Sequence, residues 1–439
     1  MPKREIIQIH IGQAGVQIAS ACWELFCLEH GITVDGHIHP SSQCYRDDSY
    51  QSYFSITNSG KAVPRTLIVD LEPTAVDEIR TNYYRHLFRP GTLITGKEDA
   101  ANNFAIGNNT RGLEMLPVVL DSLRQLSEEA NNPEGFIIFK AFGGGTGSGF
   151  TSLLLRGISE DYRKISVLEF GIYPSPRVSP IIVEPYNAGL ATHSSMEYED
   201  CCCIFDNEAL YSILERKLEV RNPTYTNPNR LIAQVVSATT AGLRFNGSVN
   251  VSLQEIQTNL IPYPRIHYPL VTYSPMLAPH RSGHEQATVS QITNSCFEPS
   301  NFMVHCDPRQ GSYISCCCSY RGNVTGSEVN NAMANIKAKR SINFVDYVPG
   351  GFKVGICYMP PVTVPGGDLA ASDRACVMMA NHTAIRQAWE RLAHKYKKLY
   401  EKRAFFHHYI GEGMEEGEFA DCLENLKSLV SDYKEVDSK

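Results

Sequence analysis

Gly143-Gly-Gly-Thr-Gly-Ser-Gly149 is the stretch that decides the fold. It directly follows the apolar run 135–142 (GFIIFKAF) and opens a helical window at 148–161. Five glycines in seven positions let the backbone approach a ligand closely and take positive φ angles. The helix behind them offers unpaired N–H groups and the positive end of its dipole. Thr146 and Ser148 add hydroxyl donors, and the whole suits a di- or triphosphate. It is not a Walker loop, because no lysine follows. The dinucleotide pattern GxGxxG fails in every register across 143–150. A plain glycine-rich turn is the competing reading.

Outward from this loop, the first 200 residues alternate between short apolar runs and helical windows. The runs 5–11, 66–71, 135–142 and 165–172 are apolar on both faces, as in a parallel sheet covered by helices. Helical windows fall near 13–29, 73–83, 111–130 and 148–161. This alternation predicts a doubly wound α/β domain, whose ligands bind at the carboxyl ends of the strands. A second glycine turn, Gly12-Gln-Ala-Gly-Val-Gln17, follows the first strand and also opens a helix. Asp70 and Glu72 end the strand 66–71, and Asp99 and Asn102 lie in the polar loop 97–102. A carboxylate beside phosphates reaches Mg²⁺, often through water; a helix N-cap or a surface charge is the plainer alternative. Asn207, Tyr225 and Asn229 begin helices, to bind and stack on a base or simply to cap.

Beyond 206 the pattern changes. A long helical window at 225–244 carries Leu231, Val235, Val236, Thr239 and Leu243 at helical spacing. Mixed strands and helices follow, at 267–274, 312–321, 351–358 and 373–380, and the end reads as helices near 383–400 and 415–434. This divides the chain into 1–206, 207–382 entered by the core helix, and 383–439. The 439 residues fit about three domains, and 43% hydrophobic residues supply their cores. A net charge of -7 gives no basic field for nucleic acid. No run of about 18 apolar residues predicts a membrane span, and the start lacks the apolar stretch of a signal peptide. Residues 386–403 carry a net +5 and residues 411–439 a net -6, two solvated faces or a surface for a charged partner. Six of the 14 cysteines sit in the triplets 201–203 and 316–318. Neighbours in a strand point to opposite faces, so reduced thiols serving as small hydrophobes are expected rather than a metal clamp.

These residues resemble α-tubulin across essentially the full length. GGGTGSG is the tubulin signature, with GQAGVQ at 12–17, VDLEPT at 69–74, GKEDAANN at 96–103, VEPYNA at 183–188, NRLIAQVVS at 229–237 and RAFFHHYIGEGMEEGEF at 403–419. Glu255, where β-tubulins carry lysine, and the insert TVPGGDLAA at 363–371 point to the α type. The resemblance implies a Rossmann-like GTPase domain, an α/β intermediate domain and a C-terminal helical hairpin. It implies a non-exchangeable GTP held by Gln13, Ala14, Gln17, Glu72, Asp99, Asn102, Gly144, Gly145, Thr146, Gly147, Glu184, Asn207, Tyr225 and Asn229, with Mg²⁺ served by Glu72. It implies pairing with β-tubulin, lateral tubulin neighbours, motors and microtubule-associated proteins. The expected place is the microtubule cytoskeleton of the cytoplasm, with an axoneme or cilium left open. Glu255 would promote hydrolysis of GTP on the β subunit of the next dimer. A relative that caps or modulates microtubules is the alternative.

The chain also departs from the family. Ala141 stands where α-tubulins have a phosphate-contacting serine, and Pro180 replaces a threonine, removing an N–H donor. Weakened but retained GTP binding is expected. The loop 37–60 contains no lysine, so the inner-wall acetylation site looks absent. The chain ends at Val436-Asp-Ser-Lys439, without the glutamate-rich tail, and Lys397 and Lys398 make helix 386–403 unusually basic. A divergent isotype with altered motor affinity is the expectation.

Overall fold

The computed structural model describes residues 4–39, 47–175, 177, 179–281, 287–339, 342–348 and 351–438. Residues 40–46, inside the loop read as lacking a lysine, therefore lie outside the described residues. Along the chain come β1 (Glu5–Ile11), the short antiparallel ladder β2 (Phe54–Ile56) with β3 (Ala62–Pro64), then β4 (Thr66–Asp70), β5 (Leu93–Thr95), β6 (Pro133–Ala141), β7 (Ser166–Tyr173) and β8 (Cys201–Asp206). Six of these form one sheet in the order β5-β4-β1-β6-β7-β8, and every pairing in it is parallel. The chain winds outward one way from β1, returns to β6 beside it, and winds outward the other way. The switch point thus lies between β1 and β6.

The apolar runs are buried on both faces, which is why they read as continuous rather than alternating. Ile6, Ile68, Ile137 and Phe139 face a core built with helices Gly12–His30 and Thr226–Arg244. Ile7, Ile9, Leu67 and Ile138 face the other core, closed by helices Arg111–Glu129 and Thr151–Asp161.

A second sheet follows, with β9 (Gly247–Val249), β10 (Leu270–Ser274), β11 (Tyr313–Gly322), β12 (Phe352–Cys357) and β13 (Arg374–His382) in the order β10-β13-β11-β12-β9. The β11–β12 pairing is parallel and the other three are antiparallel. The helix Thr226–Arg244 shares one core with both sheets, as its helical spacing of apolar residues predicts. Its last turn anchors a buried polar hub. Glu29 Oε2 accepts from Arg244 at 2.7 Å, and Glu29 Oε1 accepts from Arg321 on β11 at 2.8 Å and from the Ser237 hydroxyl at 2.6 Å. Burial alone would raise the Glu29 carboxyl, but the two guanidiniums and the hydroxyl bring it down to about 2.

The C-terminal helices are Arg386–Glu401, Phe406–Ile410 and Glu416–Ser438. The two opposite charge runs meet there. Arg386 pairs with Asp437, Arg403 with Glu416 and Lys434 with Glu390, each at 2.8 Å. Partial compensation of two solvated faces accounts for those six residues.

The cysteine triplets behave as the strand period requires. Cys201 and Cys203 enter one core and Cys202 another, while Cys317 enters the first and Cys316 and Cys318 the second. No helix among the described residues is long and apolar enough to cross a membrane. The sequence windows miss several elements, among them the short strands β2, β3, β5 and β9 and the helix Glu184–Ser195. The helix Glu184–Ser195 is the instructive case. Tyr186 through Thr192 are all buried, so no polar face marks its period.

Candidate functional site

The two glycine turns follow β1 and β6, so both stand at the carboxyl ends of strands flanking the switch point. They touch. Gly12 has φ +72°, and a Cβ placed on it would lie 3.2 Å from the Gly147 nitrogen. Any side chain here is strained and drives the turns apart. A Cβ on Gly145 would come within 2.7 Å of the Asn103 nitrogen, which places the 99–103 loop on the other side. A Cβ on Gly143 would meet the Glu184 carboxylate at 2.6 Å. At Gly144 the same construction meets nothing within 4 Å. Gly144 therefore borders open space walled by three loops and Glu184, a cradle that matches a phosphate chain.

The rim is polar. Gln13, Asp99, Asn102 and Glu72 are exposed, and Ala14, Gln17 and Glu184 are half-buried. Burial raises the Glu184 carboxyl, and the Ser179 hydroxyl beside it works the other way. Ala101 and Asn102 both take left-handed backbone angles, φ 46° and 54°, in successive non-glycine residues. Such a pair is strained and needs outside support. The structure corrects one expectation here. The Ser148 hydroxyl is fully buried and donates back to the carbonyls of Gly144 and Gly145, so it stabilises the loop instead of facing a ligand. Thr146 heads the π-helical turn Thr146–Phe150 that leads into helix Thr151–Asp161.

Three carboxylates gather at the end of β4. Asp70 is 4% exposed, and burial, with Asp99 and Glu72 adding repulsion, pushes its carboxyl up to about 7. A hard divalent cation is the group that such a donor set would accept, since it relieves the repulsion. Glu72 stands at the N-cap position of helix Pro73–Thr81 without capping it; its Oε1 accepts from the Thr74 hydroxyl at 2.5 Å.

Asn207, Tyr225 and Asn229 form a second group at helix starts. Simple capping is not their role. Asp206 caps the helix Asn207–Arg216 through the Glu208 N–H at 2.9 Å, and Tyr225 makes no side-chain cap on helix Thr226–Arg244. The Tyr225 ring is 60% exposed, free for stacking, while Asn229 is buried.

The residue that sequence reasoning passed over is Asn187, fully buried in the fourth position of helix Glu184–Ser195. Its amide donates to the carbonyls of Asn102 at 2.7 Å and Gly143 at 2.8 Å. It lies within the VEPYNA motif, yet a single asparagine beside a tyrosine gives no spacing signal of its own.

Behind the glycine loop lies a charged cluster without solvent. Lys140 Nζ is 2.5 Å from Glu169 and 3.4 Å from Glu199. Glu199 also accepts from the Tyr268 hydroxyl at 2.8 Å and lies 3.3 Å from His267 Nε2. Burial holds Glu169 well above the usual range; Glu199 resists burial and sits well below it because of Lys140 and His267. Donor atoms of Glu169, Glu199 and Cys202 lie within 4.8 Å of one another, as a metal site requires, but the ammonium already neutralises them.

Glu255 is elsewhere. It occupies the first turn of helix Leu253–Leu260, its N–H donating to the Ser252 capping hydroxyl at 3.0 Å. Its carboxylate pairs with Lys353 at 2.8 Å and is 44% exposed. Leu253 N–H donates to Glu134, at the amino end of β6, at 2.9 Å. The glycine loop follows the carboxyl end of the same strand. The eight steps between its nine residues, at about 3.3 Å each, separate the two ends by roughly 26 Å.

A parallel sheet with a glycine-lined phosphate cradle at its switch point defines a nucleotide-binding protein of the doubly wound class. Residues 5–215 match the Tubulin/FtsZ family GTPase domain, and residues 264–394 match the tubulin C-terminal domain. The chain belongs to the tubulin family.

Proposed function

We infer that the chain is an α-type tubulin subunit that binds GTP, pairs with β-tubulin and stacks head to tail in microtubules. The observation that carries this reading is the separation between the GTP cradle and Glu255. With its helix bonded to the amino end of β6 and the cradle beyond the carboxyl end, roughly 26 Å along the strand, Glu255 would not reach the nucleotide of its own chain. It can only serve a nucleotide on the next subunit, in an open heterologous stack. GTP would rest on Gly144, Gly145, Thr146 and Gly147, with Gln13, Ala14, Gln17, Asp99, Asn102 and Glu184 around the phosphates and Asn207, Tyr225 and Asn229 at the base. Mg²⁺ would be served by Glu72 and would screen the charge of the phosphates. Glu255 would orient or deprotonate the attacking water, with Lys353 fixing its carboxylate. The segments 1–206, 207–382 and 383–439 are the corresponding domains.

Ala141 backs Gly147, and Pro180 follows Ser179, whose hydroxyl donates to Glu184. Gly144 still borders open space, which supports weakened but retained nucleotide. Motors and associated proteins would meet the basic helix Arg386–Glu401, where Lys398 is exposed. The test is copolymerisation with β-tubulin. Glu255→Gln should leave the bound GTP of the dimer intact while lattice GTP hydrolysis falls by about 10²–10⁴. Unchanged hydrolysis would overturn the catalytic role, and exclusion of the wild-type chain from the lattice would favour a capping relative.

A further inference from the structure

The Asn187 amide makes four hydrogen bonds, which saturates it. Beyond its two donations to the phosphate loops, its Oδ1 accepts from the Phe104 N–H at 3.1 Å and from the Tyr409 hydroxyl at 2.8 Å. Two carbonyls on one side and an obligate backbone donor on the other fix which way the amide faces. Tyr409 comes from the short helix Phe406–Ile410, more than 200 residues away in sequence. A parallel tie runs beside it. Asn103 Nδ2 donates to the His408 carbonyl at 2.9 Å, while Asn103 Oδ1 accepts from the Ala105 N–H at 2.9 Å. Between these elements a cavity of about 350 Å³ opens, lined by Asn102, Asn103, Ile106, Val183, Phe405 and His408 among others. The loop and the helix are therefore joined at this point through hydrogen bonds more than through close packing.

The arrangement has a mechanical sense. The successive left-handed residues Ala101 and Asn102 would relax without support. The Asn102 carbonyl is one of the two atoms that Asn187 holds, and Gly143 is the other. One amide therefore fixes the spacing of the loops on both sides of the cradle. The Tyr409 ring is held in turn by Tyr186 and Phe419, at centroid distances of 5.8 and 5.6 Å. Entry to the helix is itself strained, with Phe405 at φ 64°.

We propose that Asn187 and Tyr409 are positioning residues for the nucleotide, and that the helix Phe406–Ile410 is a brace whose placement sets how tightly GTP is retained. This rests on the reading that GTP occupies the cradle at the two glycine turns. By reciprocity, a partner that shifts the 405–412 surface changes nucleotide retention, and loss of nucleotide changes that surface.

The experiment uses the full chain co-purified with β-tubulin and loaded with radiolabelled GTP during assembly of the dimer. Release of label into excess unlabelled GTP is followed for the wild type, Tyr409→Phe and Asn187→Asp. Tyr409→Phe keeps the ring and its packing and removes one hydroxyl. Release should quicken about fivefold to tenfold, the weight of one buried hydrogen bond. Asn187→Asp keeps the acceptor for Tyr409 and Phe104 but sets a carboxylate against two carbonyls, so release should quicken by more than tenfold. Asn103→Ser, which removes only the parallel tie, supplies a milder variant should either of these fail to assemble, and should quicken release about threefold. A purely structural role would lower the thermal midpoint with release unchanged. Release within twofold of wild type in folded Tyr409→Phe dimers overturns the brace. A wild-type dimer that holds no GTP overturns the proposed function, and the brace with it.

Discussion

Lys140→Met keeps the length of a buried side chain and removes its charge. The ammonium now sits 2.5 Å from Glu169 and 3.4 Å from Glu199, with side-chain exposures of 1%, 0% and 0%. Without it, Glu199 keeps the Tyr268 hydroxyl and His267 but loses its ammonium partner, and its easiest escape is to take up a proton. From an ordinary value of 4.5, that costs about 3.4 kcal/mol at pH 7, at roughly 1.4 kcal/mol per pH unit. The figure agrees with the range of about 3–5 kcal/mol for breaking a buried pair. The sign follows from linkage. In the variant the folded carboxyl lies above its unfolded value, so the folded state holds a proton that the unfolded chain has released. The deficit therefore shrinks as pH falls from 7 towards 4.5, to about 2 kcal/mol at pH 6. Calorimetry of the purified dimer should show the transition of this domain lowered by about 7–14 °C at pH 7, and by roughly half that at pH 6. Adding Glu199→Gln removes the demand for a proton and should recover most of the loss. A loss under about 1 kcal/mol, equal at both pH values, would refute the reasoning and mean that water reaches the cluster.

His10 stacks on Phe139 at 4.3 Å, and burial pushes it down to about 3; burial also lowers His382 to about 4. Both stay neutral in the fold while the unfolded chain protonates near 6.5, so stability is full above 6.5 and falls with acid by about 1.4 kcal/mol per pH unit for each histidine. His10→Asn should remove one proton from that slope, measured by denaturation between pH 6 and 4.5. Lys353→Met breaks a half-exposed pair with Glu255, so the dimer should lose less than about 1 kcal/mol of stability while lattice hydrolysis slows. All thirteen described cysteines are buried, and burial holds Cys306, Cys317 and Cys422 up to about 12. They should resist a maleimide at pH 8 until denaturant is added, which mass spectrometry would read.

Much of the fold and the centre of the site could be read from residue order. Glycines directly after an apolar run can mean little else than a turn at the carboxyl end of a strand, so 12–17 and 143–149 were legible. Helix Thr226–Arg244 was legible because Leu231, Val235 and Leu243 repeat at its period. Helix Glu184–Ser195 was not, since burial on all sides erases the period. The Ser148 hydroxyl was misread for a related reason. Its residue type suits a ligand donor, but only the folded loop shows the carbonyls it turns back to. Asn187 was hidden because its four partners come from three separate segments, at 102–104, 143 and 409. Ion clusters such as Lys140 with Glu169 and Glu199 are equally silent, each member reading as an ordinary surface charge.

The hub at Glu29 carries a consequence for biosynthesis. Its carboxylate is made early in the chain, yet the guanidiniums of Arg244 and Arg321 that pair with it arrive much later. While the first two hundred residues emerge from a ribosome, neither of these guanidiniums has yet been made. The first sheet can be wound in outline but cannot seal its inner face until most of the polypeptide has been made. A truncated first domain should accordingly be a poor autonomous folder and a natural client for a chaperone that shelters half-finished chains.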